Sequence, residues 1–329
     1  MRLEHLANFV SPITGRSMRL EGVEAEAYGE IRQGRIVDDS GAHIVNIENF
    51  IPRFATAQYT DSFGEQWNRY RSLQIDSENK LGISEERFYR WTGWDKQELR
   101  GLRILEAGCG AGRFTQVMLN AGATVYSVDL SSAVDACWRT NGPNENLCLV
   151  QADIEKIPFA TASFDRVFCY GVLQHTPDPR KSFNSLVSFL RKGGKISIDS
   201  YIKSRPLTRW TSKYLWRPLT TRISPTMLRR IVEYYVPKWL PIDTSLSRIP
   251  VIGSTLVGVI PCWNYTGMLP LLPEEVLSWA ILDTYDALAS KYDKPQTLQA
   301  VHEWFGEAAL SDIQVEVGSN GIVGNGCRV

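Results

Sequence analysis

From Leu102 to about Tyr201, short apolar runs alternate with longer amphipathic stretches. RILEAG, TVYSVDL, LCLVQAD, FDRVFCYG and KISIDSY read as strands. GRFTQVMLNAG, SSAVDACWRT and the stretch from Pro179 to Leu190 read as helices. Strands separated by helices of this length build a parallel sheet with right-handed crossovers, and strands this apolar are buried on both faces. The pattern resumes near the C-terminus with a helix at LQAVHEWFGEAAL, a strand at DIQVEV and a last strand, an antiparallel hairpin at the sheet edge. The expected fold class is α/β, a doubly wound sheet.

The flanking segments follow other patterns. In residues 1–55, Pro12, Gly15, Gly22, Gly29, Gly34 and Gly41 punctuate brief β-like runs such as GRIVDD and AHIVNIENF, which predicts a small β-ribbon unit. In residues 56–98, Phe63, Trp67 and Tyr70, then Phe88 and Trp91, recur at helical spacing, which predicts a helical lead-in. Residues 204–285 break the alternation with helical, aromatic and proline-containing sequence and read as an insertion. The main domain is therefore expected over 99–203 and 286–329.

Composition narrows the class. The chain has 329 residues, 43 % hydrophobic and 22 % charged, enough apolar surface to offset chain entropy. Thirty-six basic and thirty-six acidic residues cancel, so whole-chain charge argues for neither nucleic acid nor membrane, and no DNA partner is expected. The opening MRLEHLANFVSPITG lacks the apolar run of a signal peptide, and no stretch reads as a membrane span. A cytoplasmic location is expected, with any peripheral membrane contact left to a local patch. The six cysteines contain no C-x-x-C pair, a spacing that suits neither a zinc site nor a disulfide framework.

The chemistry concentrates in Glu106-Ala107-Gly108-Cys109-Gly110-Ala111-Gly112, after an apolar strand and before a helix. Glycines there let the backbone approach a ligand at the carboxyl ends of parallel strands. The dinucleotide pattern needs Gly or Ala where this chain has Arg113, and an acid at the loop repels a pyrophosphate. Glu106 suits a cationic ligand, either directly or by fixing the loop. Asp129 ends the second strand, seventeen residues after Gly112, and can accept from two ribose hydroxyls; Asp153 follows the third and can accept from an adenine amino group.

LEAGCGAGRFT, VDLS, QADIEKIPF and FDRVFCYGVLQHTPDP resemble the four motifs of class I S-adenosylmethionine-dependent methyltransferases, in the small-molecule group that includes quinone and sugar methyltransferases. The resemblance implies a Rossmann-like seven-stranded sheet and S-adenosylmethionine as cofactor. By that resemblance Gly108, Gly110 and Gly112, in one loop with Glu106 and Cys109, line the methionine part. Asp129 takes the ribose, Asp153 with Ile154 the adenine, Leu130 flanks the ring and Tyr170 lies beside the sulfonium. Some relatives place an aromatic segment like FGEQWNRY over the cofactor, so Phe63, Gln66, Trp67 and Tyr70 either close the site or pack as core.

Methyl transfer needs alignment and exclusion of water more than catalytic side chains. A hydroxyl acceptor also needs a base. His175, just past the fourth strand, is either that base or a residue that orders its loop. No metal is expected, since carboxylates beyond Asp178 and Asp199 do not assemble. The segment SPITG to IPRF resembles a zinc ribbon in which Ser11, Thr14, Val37 and Ser40 stand at the cysteine positions, so zinc is not expected there either.

Between Arg205 and Leu240, six Arg and two Lys stand against one Glu, interleaved with Trp210, Tyr214, Trp216, Tyr234, Tyr235 and Trp239. These residues form either an amphipathic lid or a surface for an anionic or lipid-linked acceptor or a membrane, through 205–240. Tyr285, Asp286 and Tyr292 are acceptor-site candidates by resemblance. The function expected is methyl transfer to oxygen, less readily carbon, of a small-molecule acceptor such as a sugar, quinone, polyketide or lipid-linked compound. The alternatives are an RNA methyltransferase, disfavoured because CYGV replaces the amino-methylating motif, and a cofactor-binding protein without transfer activity.

Overall fold

The computed structural model describes residues 1–55, 60–204, 210–249 and 253–329. They form two compact units, Met1–Ile202 with Tyr292–Val329, and Lys203–Lys291.

The first unit opens with a four-stranded antiparallel sheet in chain order: β1 Met18–Ala27, β2 Glu30–Asp38, β3 Ile44–Glu48 and β4 Ile51–Pro52. Tyr28 and Gly29, at φ 58° and 72°, turn β1 into β2, the left-handed pair that a two-residue hairpin requires. β3 alternates buried and exposed residues at the period of two that a one-sided strand demands. The inward Ile31, Ile36, Val45 and Ile47 share one core with Phe9, Tyr126, Val150 and Phe159. The ribbon therefore packs into the main domain rather than standing as its own unit.

Helices α1 Asp61–Arg69, α2 Asp76–Asn79 and α3 Ile83–Thr92 follow. Next come β5 Arg103–Ala107, α4 Arg113–Asn120, β6 Thr124–Asp129, α5 Ala133–Asn141, β7 Leu147–Gln151, β8 Phe164–Cys169, α6 Pro179–Phe189 and β9 Leu190–Ser200. The second unit carries α7 Lys213–Thr220, α8 Pro225–Leu246, α9 Gly253–Leu256 and α10 Pro273–Ala289. The first unit resumes with α11 Leu298–Glu307, β10 Leu310–Gly318 and β11 Gly321–Arg328.

The seven strands are ordered β10-β11-β9-β8-β5-β6-β7, parallel except that β11 runs antiparallel to both β9 and β10. This is the doubly wound α/β sheet that the alternation predicts, with the C-terminal hairpin at its edge. β5 lies between β6 and β8, so the chain winds away on both sides and opens a crevice above its carboxyl end.

In the second unit, α8 buries Leu228, Val232 and Val236 against Cys262, Ala280, Tyr285 and Leu288. Arg217 of α7 donates to the carbonyls of Ala287 and Ser290, satisfying the end of α10. The insertion expected over 204–285 ends within α10, whose apolar spacing continues through Ala289; the second compact unit runs Lys203–Lys291. Arg205 and Arg209 of the basic segment lie outside the described residues. Among the described residues, no helix is long and apolar enough to cross a membrane.

Candidate functional site

The loop between β5 and α4 is fixed by its backbone. Gly108 N donates to Val128 O at 2.6 Å, Gly110 N to Asp129 Oδ2 at 2.9 Å and Gly112 N to Cys109 O at 2.9 Å. Gly108 has φ +78°, and a Cβ there would lie 2.0 Å from Val172 Cγ2. Gly112 has φ +88°, and a Cβ there would lie 2.2 Å from Asn141 Nδ2 and 2.7 Å from Cys137 Sγ. Both conformation and space demand glycine at these positions.

Above the carboxyl ends of β5, β6 and β8 is a pocket lined by Gly108, Cys109 and Gly110, by Asp129 and Leu130, by Asp153 and Ile154, and by Tyr170 and His175. Asp129 Oδ1 accepts from the amide and hydroxyl of Ser131 at 2.9 and 2.7 Å. Burial raises the Asp129 pKa above the usual carboxylate value, against the donors from Gly110 and Ser131. Asp153 Oδ1 accepts from Glu155 N at 2.9 Å, a turn that holds its carboxylate at the strand end.

Glu106 and Gly112 do not line this pocket. Glu106 is buried beneath the loop, where its Oε2 accepts from Thr115 Oγ1 at 2.5 Å and Ser127 Oγ at 2.6 Å. It ties β5 to α4 and β6, so of its two expected roles the structure shows loop fixing. Burial pushes its pKa up to about 7. Gly112, expected along the methionine part, serves helix packing, because α4 crosses α5 there.

Tyr170 turns its ring to the pocket, while its hydroxyl pairs with Ser197 Oγ at 2.9 Å inside the fold; burial raises its pKa. Asp199, considered in the sequence as a metal ligand, instead pairs with Arg87 Nη2 at 2.6 Å and accepts from Gly171 N, anchoring the loop after β8. Asp178 caps α6 through Lys181 N. Among the described residues, no group of three or more His, Cys, Asp or Glu is placed to hold a metal ion.

His175 ends the short 3-10 turn Leu173–His175 and is buried. Its Nδ1 lies 2.9 Å from the Tyr292 carbonyl, which can only accept, so Nδ1 carries a proton and Nε2 is the basic nitrogen when the ring is neutral. The rings of Phe63 and Tyr201 pack at 5.1 and 5.4 Å. Tyr292 thus meets the site through its backbone, whereas Tyr285 and Asp286 belong to the other unit.

Phe63 and Trp67 of α1 line the pocket; Gln66 and Tyr70 do not. α1 reaches the loop because Gly64 lets it press on the start of α5: a Cβ there would be 2.3 Å from Ser132 Oγ, and Asn68 Nδ2 donates to Ser132 O at 2.9 Å. Gln74, Ile75, Arg113 and Val172 also line the pocket and escape the sequence reading. Arg113, the residue that breaks the dinucleotide spacing, donates to Gln74 Oε1 at 2.6 Å. Gln74 lies in the turn Arg71–Gln74, which leaves no periodic signal.

The N-terminal ribbon holds a polar knot where the resembled module holds metal. Asp38 is buried and accepts from Thr14 Oγ1 at 2.5 Å, Ser40 Oγ at 2.7 Å, Ala42 N at 2.9 Å and His43 N at 3.1 Å. Ser11 Oγ pairs with His43 Nδ1 at 2.8 Å. The hydrogen bonds, Thr14 first, hold the Asp38 pKa far below the usual range. Asp38, not Val37, is the residue at the hub; Val37 is buried but supplies no polar group.

Residues 105–198 match the family model described as a methyltransferase domain. A ubiquinone biosynthesis O-methyltransferase of Xanthomonas oryzae pv. oryzae is 31 % identical over 106 residues, 31 % of this chain and 44 % of that protein. A Coxiella burnetii protein of the same name is 24 % identical over 158 residues, 46 % of this chain and 64 % of its own length. The chain thus spans less than two thirds of these curated relatives. Among solved structures, magnesium protoporphyrin IX methyltransferase from Synechocystis PCC 6803 with bound SAH is similar at a TM-score of 0.44 and 14 % identity, over 83 % of this chain and 98 % of that one.

Proposed function

We propose that the chain, whose residues 105–198 match a methyltransferase domain, is a class I S-adenosylmethionine-dependent methyltransferase that acts on an oxygen of a small-molecule acceptor. The observation that carries the reading is the pocket itself: Asp129 and Asp153, at successive strand ends, face one space together with Gly108, Gly110 and His175.

The residues present suit the cofactor. Two carboxylates among apolar Leu130 and Ile154 fit hydroxyl and amino donors beside a flat ring and disfavour phosphates. Gly110 lets backbone come close to the Trp67 indole, which would lie 3.4 Å from a Cβ at that position, and both residues line the pocket. Arg113 offers a guanidinium to a carboxylate. When bound, S-adenosylmethionine supplies an electrophilic methyl group on a sulfonium.

The chain's own part is then alignment, dryness and one proton. Phe63, Trp67 and Ile75 close the pocket against water. The Tyr292 carbonyl fixes the tautomer that leaves His175 Nε2 able to take the acceptor's hydroxyl proton. The ubiquinone biosynthesis enzymes among the relatives favour a quinone-like phenol as the acceptor class. Calorimetric titration with S-adenosylhomocysteine, with NADH as control, tests the reading. Binding of the former alone supports it, and binding of neither removes its premise.

A further inference from the structure

Helix α8 is apolar on two faces and covers only one. Leu228, Val232 and Val236 sit in the core of the second unit. On a second face, Met227, Ile231, Tyr234 and Ile242 recur at helical spacing and are 39–69 % exposed. Arg230 and Lys238 share that outer face and are exposed. Lys238 Nζ lies 3.3 Å from the centre of the Tyr234 ring, so the ammonium rides on the apolar stripe. From Lys203 to Ile242 the sequence has a single acid, Glu233, which is half-buried. α7, in the same unit, likewise exposes Leu215, Trp216 and Leu219.

We infer that the outer face of α8 docks on the headgroup region of an anionic lipid bilayer. α8 holds two acids, Asp243 buried and Glu233 half-buried, and neither is exposed; an amphipathic helix that exposes aromatic and aliphatic residues beside Arg and Lys lies in the plane of such a surface. α8 cannot cross the bilayer, so it rests on it. Charge decides among the occupants. A second copy would set basic residue against basic residue across a two-fold axis. A nucleic acid would leave Met227, Ile231 and Ile242 without work, since phosphates want cations and bases want aromatic rings. A bilayer with anionic headgroups uses both kinds of side chain at once.

The test is flotation of the full chain with vesicles of phosphatidylcholine alone and with about 30 % phosphatidylglycerol, where the anionic vesicles should recover about tenfold more protein. The variant M227S/I231S/Y234S and the variant R230Q/K238Q should each lower that recovery by about tenfold. Circular dichroism should be unchanged in both, because all five positions are exposed. Equal recovery on both vesicles, or full binding by the apolar variant, overturns the inference. So does a dimer that the apolar variant dissolves, or oligouridine binding, in the absence of vesicle binding. Flotation needs no methyl donor, so its outcome stands apart from that of the proposed activity.

Discussion

Asp129 Oδ2 and the amide of Gly110 are joined by a 2.9 Å hydrogen bond, so the end of β6 and the glycine loop move as one piece. The same carboxylate borders the pocket, and loop geometry and ligand contact are therefore coupled at one residue. Asp129→Ala should weaken S-adenosylhomocysteine binding by about 1–3 kcal/mol. Calorimetry reads this directly, and an unchanged affinity would remove Asp129 from the site.

The loop glycines separate into two classes. Gly112→Ala forces a Cβ onto Asn141 and Cys137 at a left-handed φ, and should cost stability by about 2 kcal/mol or more. Gly110→Ala shares the left-handed φ, +53°, but meets only the Trp67 ring at 3.4 Å, so it should cost less stability than Gly112→Ala and lose ligand affinity as well. Thermal melts with and without S-adenosylhomocysteine distinguish the two, and a reversed order would contradict this packing.

His175→Ala should lower turnover by about 10²–10⁴-fold while leaving cofactor affinity nearly unchanged, as loss of a base does. Part of the loss should return as pH rises, because a hydroxyl acceptor then ionises unaided. Equal, modest losses in both quantities would mark His175 as packing for Phe63 and Tyr201.

Glu106 carries a pH signature. Its folded pKa is raised by burial from 4.5 to about 7, so between those values the folded state holds more protons than the unfolded one. Its contribution to stability therefore falls as pH rises from about 4.5 to about 7. Glu106→Gln should flatten the slope in that window. Denaturant midpoints measured across it for both proteins decide, and parallel curves would mean that the carboxylate is not desolvated.

Asp38→Ala leaves the Thr14 and Ser40 hydroxyls and two backbone amides without their acceptor. It should lower the melting temperature, whereas a chelator should leave the parent protein unchanged. A chelator-induced shift would show that metal, not the carboxylate, holds the ribbon.

The main sheet is legible in the sequence because strands covered on both faces must be almost continuously apolar, as β5 and β7 are. β1 is not: MRLEGVEAEA lies at the sheet edge, buries little, and owes its conformation to pairing with β2. Asp129 and Asp153 can be located from sequence because strand ends fix them. Gln74 and Ile75 cannot, since they reach the pocket through a turn without a period. The Arg87 to Asp199 pair joins residues 112 apart in sequence, and no local pattern announces it.

One bridge in the ribbon reaches further than its size. β7 is one of the two outermost strands of the large sheet, and Arg53 runs parallel beside Gln151 there, while the amides of Phe54 and Ala55 donate to the Gln151 carbonyl. An outermost strand with open backbone groups is a template for chain-to-chain addition. Arg53 to Ala55 thus guard the Gln151 end of that edge: a protein trimmed of residues 1–55 would present it to its neighbours together with the apolar side chains that Ile31, Ile36, Val45 and Ile47 cover, and would lose solubility.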